Sequence, residues 1–307
     1  MSRAVLRRSL LYVPGSSPRF LEKSTTSSAD CIIYDLEDSV TPANKPSARH
    51  LVRTALDKSL PSAKEHGVRI NSIPSNLALL DLQTILPSPA LTTLVLPKCD
   101  TAGDLTFLRD AIAHLRPSSL PPVSVIALIE SAKALANLHD ICKAAPALLS
   151  GLAFAAEDFN ADMRITRTPS MTEMLFARSS IVAAARAYNL SSILDLVATS
   201  FKDEKQLRQE VQDGKNMGFT GKQCIHPGQV DAVNEAFAPS WREVEWAVRV
   251  GIAQKKADEE GRGAWTLDGK MIDRPVVQRA ANIVHMAKLC GLDVTDLERK
   301  HASQGPE

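Results

Sequence analysis

Aromatic residues are scarce in this 307-residue chain, with Phe, Tyr and Trp together at 5%, so the sequence advertises no stacking platform for bases or sugars. Cysteine is sparse as well. The five (Cys31, Cys99, Cys142, Cys224, Cys290) show no CxxC spacing, which argues against a disulfide frame or a zinc site and for a reducing compartment. Neither sign of charge is in excess: 36 Lys and Arg face 35 Asp and Glu, for a net +1. That balance points to no nucleic-acid and no membrane partner. No apolar run approaches the length of a membrane span, and there is no internal repeat or low-complexity tract. The start, MSRAVLRRSLLYVPG, is basic and free of acids, as transit peptides are. A first strand beginning near Ser9 leaves little disposable sequence before it, so the cytosol is expected, with mitochondria as the alternative.

What is present is a core, with 44% apolar residues, and a rhythm. Short apolar runs recur: SLLYV (9–13), CIIYDL (31–36), GVRIN (67–71), TTLVLP (92–97), VSVIALI (123–129), GLAFAA (151–156), ILDLVA (193–198) and KQCIHP (222–227). Amphipathic helical stretches separate them, among them 45–58, 101–116 with Thr101 as cap and Asp104 in its first turn, and 172–189. Near-continuous apolar strands alternating with helices mark a parallel sheet covered on both faces, and eight such units close into a (β/α)8 TIM barrel. This predicts a catalytic barrel over 1–238. A C-terminal extension over 239–307 would carry a helix (240–261), the stretch RGAWTLDGKMIDRP and a further helix from Val276. The polar segment 159–171 is expected to be a loop acting as a rim or lid.

Active sites of such barrels lie where strands end at their carboxyl side, and each run ends in polar chemistry. In CIIYDLEDSV a buried strand delivers Asp35, Glu37 and Asp38 within four residues, and such charges need a positive partner. Glu130 and Asp158 are expected to end strands five and six, neighbours in the barrel. Two oxygen ligands plus waters is how Mg2+ is usually held, with Glu37 and Asp38 touching its waters from across the mouth. The alternative is that these acids pair with Arg and Lys around the rim. Arg69 suits a substrate carboxylate or enolate oxygen, or else a partner for Asp35 or Glu37. Lys98 is expected in an ion pair, and His226 on the rim rather than as a base. In LLYVPGSSPRFLEK, a small-residue turn precedes a helix bearing Arg19 and Lys23 at i, i+4, a combination suited to a phosphate-bearing ligand, with Tyr12 placed to pack on a flat ring.

With these residues assembled, the chain resembles the citrate lyase β-subunit-like branch of the HpcH/HpaI aldolase superfamily. The matching segments run in order: RRSLLYVPGSSPRFLEK, CIIYDLEDSV, VRIN, LVLPK, ALIES, FAAEDF, DLV, GFTGKQCIHPGQV and DGKMID. The resemblance implies a Mg2+-dependent carbon–carbon lyase, with Mn2+ as a possible substitute, cleaving a CoA thioester such as malyl-CoA or citramalyl-CoA into acetyl-CoA and a 2-oxo acid. Carried over, it makes Glu130 and Asp158 the metal ligands and gives the oxo-acid or enolate oxygen to Arg69. Tyr12, Arg19 and Lys23 fall at the nucleotide part of CoA, and Ile225 and His226 at the thioester rim. DGKMID resembles a motif that supplies an acid, Asp273, to a neighbouring subunit, which implies an arm exchanged within a homotrimer or dimer of trimers. Asp268 competes for that role, and Asp273 reads equally as a helix cap ahead of Pro275. Two departures from the pattern are Ala155 and Ser39 where glycine is expected. Three other readings remain: a metal-dependent aldolase of free hydroxy acids, a citrate lyase β subunit working on an acyl-carrier protein, and a non-catalytic CoA-binding barrel.

Overall fold

A computed structural model describes residues 5–58 and 65–307, so the first four residues of the basic start lie outside it. The chain divides into two compact units, with the division after Phe237. In the first, eight strands, β1 (Ser9–Pro14), β2 (Cys31–Asp35), β3 (Glu65–Arg69), β4 (Thr93–Leu96), β5 (Ser124–Ile129), β6 (Leu149–Phe154), β7 (Ser192–Asp195) and β8 (Gly221–Cys224), close into a barrel in sequence order. Every neighbouring pair is parallel, β1 with β8 included. Most strands are largely apolar because both faces are covered, while β3 and β8 also carry Glu65, His66, Arg69, Lys222 and Gln223. Leu10, Cys31, Ile33, Val95, Ile126, Leu128, Ala153 and Leu194 fill the inside, while Leu11, Ile32, Tyr34, Val68, Leu94 and Leu152 pack in the larger cluster with residues of the helices.

The helices start where side chains can satisfy their first N–H groups. Thr101 and Asp104 form a capping box on Ala102–Leu115, Ser131 caps Ala132–Ala136, and Asp203 caps Glu204–Met217, which ends on Gly218 at φ 99°, a left-handed position that favours glycine. Two expectations shift. The third and sixth strands run 65–69 and 149–154, two residues earlier than the apolar runs suggest. And segment 159–171 is not all loop: a helix, Ala156–Met163, occupies its first part.

The amino-terminal mouth of the barrel is closed by one residue, Arg7. Its guanidinium is buried and meets Glu65 at 2.5 and 2.7 Å, Ser124, Ser150 and Ser192 at 2.9 Å each, and Thr93 at 3.3 Å. These partners stand at the first or second positions of β3 to β7, so a single fork ties five strands together. Around it the chain packs so closely that a Cβ on Gly221 would lie 2.1 Å from the Arg7 carbonyl oxygen.

The second unit packs the helices Trp241–Glu259 and Arg274–Leu289 around Ala247, Val250, Trp265, Leu267 and Ile272. Between them lies a hairpin, β9 (Trp265–Leu267) and β10 (Lys270–Ile272), paired antiparallel. Its two-residue turn, Asp268-Gly269, has φ of 50° and 70°, the left-handed pair for which Asp-Gly is suited. Among the described residues no helix is long and apolar enough to cross a membrane.

Burial alone would raise the Glu65 pKa, but the hydrogen bonds and charge of Arg7 outweigh it and hold the carboxyl below its usual range. A depressed folded-state pKa contributes stability above the unfolded-state value of about 4.3, and that contribution is lost as pH falls through the folded value. Glu65→Gln is therefore expected to cost about 3 kcal/mol at pH 7, because it strands a buried guanidinium. In urea melts the gap to the wild type should narrow as the pH drops below about 4.

Candidate active site

The carboxyl ends of the strands surround a cavity of about 400 Å3, within the range of small-ligand sites. Tyr12, Pro14, Asp35, Asp38, Ser39, Arg69, Leu128, Ala155, Ala156, Glu157, Asp158, Val197, Gln223 and Ile225 line it.

Its frame is a fork between two strand ends. Register sets Asp35, the last residue of β2, opposite Arg69, the last of β3. Arg69 Nε and Nη2 each donate to Asp35 at 2.7 Å, and Nη1 points to Glu37 at 3.1 Å and Asp38 at 3.7 Å. Ser39, one of the departures from the family pattern, adds its N–H at 3.0 Å and its hydroxyl at 2.5 Å to the same Asp35 oxygen. Asp35 stays below the usual carboxylate range: burial opposes this, and the Arg69 bonds and charge prevail. The Arg69 pKa is raised by its acidic partners against the opposing effect of burial.

Tyr12 supports this fork from below. The guanidinium carbon lies 4.7 Å from the Tyr12 ring centre, a cation–π contact, and the Tyr12 hydroxyl donates to Gln223 Oε1 at 2.9 Å. Gln223 spends its amide hydrogens on the carbonyls of Phe154 and Asp195, both at 3.0 Å, so only its oxygen is left for Tyr12. The structure does not bring Tyr12 together with Arg19 and Lys23. Tyr12 alternates into the barrel, packed with its inner core, whereas Arg19 and Lys23 lie exposed on the short helix Pro18–Ser24 beside exposed Phe20.

Across the mouth the acids gather around Lys98. Lys98 takes a left-handed backbone, φ 49°, which costs a non-glycine residue of order 1 kcal/mol. That turn aims its N–H at the Glu130 carboxylate, in a very short bond. Its ammonium lies 3.4 Å from Glu37 and 3.8 Å from Asp158. Burial pushes the Glu37 pKa up to about 7, with Arg69 pulling down and Asp38 pushing up. Glu130 goes to about 8, again chiefly through burial, with the Lys98 N–H lowering it and Glu37 and Asp158 raising it. One Glu37 oxygen makes no well-aligned hydrogen bond although it sits within ion-pair distance of Arg69; we take it as a charge contact with poor directionality. Glu130 follows β5 directly, but Asp158 ends no strand: it stands in the first turn of the helix Ala156–Met163, about half-exposed.

Other expected residues sit elsewhere. Ile225 is on the cavity rim. His226 is exposed, stacked on Phe201 with ring centres 4.9 Å apart, and its Nδ1 accepts from Gly228 N at 3.0 Å. In the second unit Asp273 caps the helix Arg274–Leu289 through Val276 N at 3.2 Å. Asp268 is held by Arg249 at 2.7 and 2.8 Å and by its turn conformation, so both of its oxygens are engaged.

Sequence reasoning missed Lys45, whose ammonium holds the carbonyls of Leu36 and Glu37 at 2.9 Å each and Asn71 Oδ1 at 2.5 Å. It thereby fixes the backbone that carries Glu37. It missed Gln223 too. Lys45 reads only as the start of a helix and Gln223 as a polar residue within a strand.

Among the described residues no three His, Cys, Asp or Glu side chains form a ready cage for a metal ion. The all-oxygen set of Glu130 and Asp158, bordered by Glu37 and short of compensating positive charge, does suit a hard cation that keeps waters and substrate oxygens as its remaining ligands.

The family pattern described as HpcH/HpaI aldolase/citrate lyase matches residues 8–227. Mitochondrial citramalyl-CoA lyase of Homo sapiens is 37% identical over 292 residues, covering 92% of this chain and 85% of that protein. Citrate lyase subunit beta of Escherichia coli (strain K12) is 36% identical over 289 residues, covering 93% and 95%. The crystal structure of protein CitE from Mycobacterium tuberculosis in complex with magnesium, acetoacetate and coenzyme A superimposes with a TM-score of 0.76 at 30% identity, covering 93% of this chain and all of that one. This chain, with its charged barrel mouth, belongs to the HpcH/HpaI aldolase/citrate lyase family.

Proposed function

We propose that the protein is a Mg2+-dependent carbon–carbon lyase that cleaves a 3-hydroxyacyl-CoA, such as citramalyl-CoA or malyl-CoA, into acetyl-CoA and a 2-oxo acid. The observation that carries this reading is that Asp158 and the Arg69 fork line one cavity, with buried Glu130 joined to Asp158 through Lys98. Family membership and the CoA and magnesium in the related CitE crystal support it.

A Mg2+ ion held by Glu130 and Asp158 would act as a Lewis acid toward the carbonyl of the oxo-acid portion. The chain's own residues do the rest. Arg69, immobilised by Asp35 and seated on Tyr12, offers Nη1 to the negative oxygen that develops as the bond between the two carbons breaks, without having to reorganise. Ser39 and Gln223 fix that geometry through Asp35 and Tyr12. The substrate hydroxyl gives its proton to a carboxylate of the mouth as it becomes the oxo-acid carbonyl; the electron pair of the broken bond forms the enolate of the acetyl thioester, and an acid must protonate its methyl carbon. We assign that proton to Asp273, delivered by a second copy of the chain within a homotrimer. Asp273 directly follows β10, whose middle residue Met271 is 71% exposed, and this supports an arm that meets another surface. Asp268 is unsuited because Arg249 occupies it.

Arg19 and Lys23, one turn apart and exposed, would bind the phosphates of the CoA moiety.

Asp158→Asn is expected to leave the thermal melt unchanged while lowering kcat/KM for citramalyl-CoA by about 100-fold or more, the upper end of what disturbing a metal's surroundings costs. Full Mg2+-supported release of acetyl-CoA by this variant contradicts the assignment. Reversing the charge at both Arg19 and Lys23 to Glu should raise KM for the CoA thioester roughly 10-fold with little change in kcat, because it removes binding common to ground and transition states. An equal rate on free citramalate and on citramalyl-CoA in the wild type would instead favour an aldolase of free acids.

A further inference from the structure

Two carboxylates stand side by side in the first turn of the helix Ala156–Met163, Glu157 and Asp158, and both line the cavity. Only Asp158 faces the acidic cluster, 3.8 Å from the Lys98 ammonium. Glu157 is engaged by Arg167 instead. The Arg167 guanidinium donates from Nη1 to Glu157 at 2.7 Å and to the carbonyl of Val197 at 3.1 Å, and from Nη2 to Glu210 at 3.0 Å.

The anchor behind it is firm. Glu210 is buried on the helix Glu204–Met217 and also accepts from Lys222 at 3.1 Å and Gln206 at 3.1 Å. Lys222 is fully buried on β8. Arg167 and Lys222 thus balance Glu157 and Glu210, a closed set of two cations and two acids. The segment carrying Arg167 is pinned too, since Arg164 and Met171 both take left-handed φ (55° and 52°) and Met171 is buried in the core.

We propose that Arg167 is a positioning residue that decides which of the two adjacent carboxylates serves the cation: it holds Glu157 aside and leaves Asp158 to act with Glu130. The proposal rests on the Glu130–Asp158 reading of the cation site. A hard cation binds more tightly as carboxylates are added to its shell, and each addition takes a place that a substrate oxygen would fill. Freed from Arg167, half-exposed Glu157 would turn into the mouth. Metal binding would then strengthen while substrate binding weakened, a combination that loosened packing does not produce.

The test uses the full chain and Mn2+ as the probe, read by the paramagnetic signal of free and bound ion, with citramalyl-CoA kinetics alongside. Folding of Arg167→Gln should survive, because Glu210 keeps Lys222, and a thermal melt checks this. Arg167→Gln is expected to bind Mn2+ about 10-fold more tightly and to raise KM for citramalyl-CoA by a similar factor. Adding Glu157→Gln to it should bring both values back toward the wild type. Unchanged or weaker Mn2+ binding in Arg167→Gln overturns the proposal, as does a double variant that behaves like the single one. If instead the wild type takes up no Mn2+, or Asp158→Asn takes up as much as the wild type, the cation site itself is refuted, and the proposal with it.

Discussion

The fork between Asp35 and Arg69 is the contact on which the rest of the mouth depends. Both residues end adjacent strands, so the barrel's register rather than any loop fixes their separation. Two parallel bonds of 2.7 Å leave one nitrogen of the guanidinium facing the cavity. Desolvating such a pair is costly unless its remaining valences are met. Here Ser39, the N–H of Glu37 and the Tyr12 ring meet them. What remains is a permanent cation with a fixed direction, which an electrophilic or enolate-stabilising site requires.

The second constraint is a deficit. Among the described residues, the side chains that meet the acids Asp35, Glu37, Asp38 and Asp158 in ion pairs here are Arg69 and Lys98, and Glu130 adds a fifth acid. Arg69 is largely committed to Asp35. Burial chiefly, with the neighbouring acids adding to it, raises the carboxyl pKa values of Glu37 and Glu130 to about 7 and 8. A carboxylate cluster of this kind resists full ionisation unless a cation joins it.

The barrel was legible because its strands are buried on both faces, which turns each into a short apolar run that periodicity alone can find. Fold and the clustering of polar residues at strand ends follow from that same pattern, whereas the family is carried by the ordered motifs from RRSLLYVPGSSPRFLEK to DGKMID. Finer placements did not. Tyr12 lies in a strand whose side chains alternate, and without the register nothing says whether it points in toward Arg69 or out toward Arg19 and Lys23. Asp158 follows an apolar run so closely that it reads as a strand end, although Ala155 offers no capping side chain to announce the helix that starts there. Arg7, Lys45 and Arg167 act through partners tens to hundreds of residues away, a relation that no local spacing encodes.

The two ends of the barrel use the same chemistry to opposite ends. At the amino-terminal mouth Arg7 meets one carboxylate and a ring of hydroxyls that carry no charge, so the charges cancel and every donor is occupied. The buried pair of Arg178 with Asp195, joined by Asp213, is likewise a settled structural contact beneath the helices. At the carboxyl mouth the arginine is equally well gripped, but acids outnumber cations and a cavity adjoins them. Ion pairing by itself therefore does not mark a functional site in this fold, since Arg7 satisfies it completely at the amino-terminal mouth. The marks are an uncancelled charge held in a rigid frame and an open volume beside it, and the carboxyl end of this barrel has both.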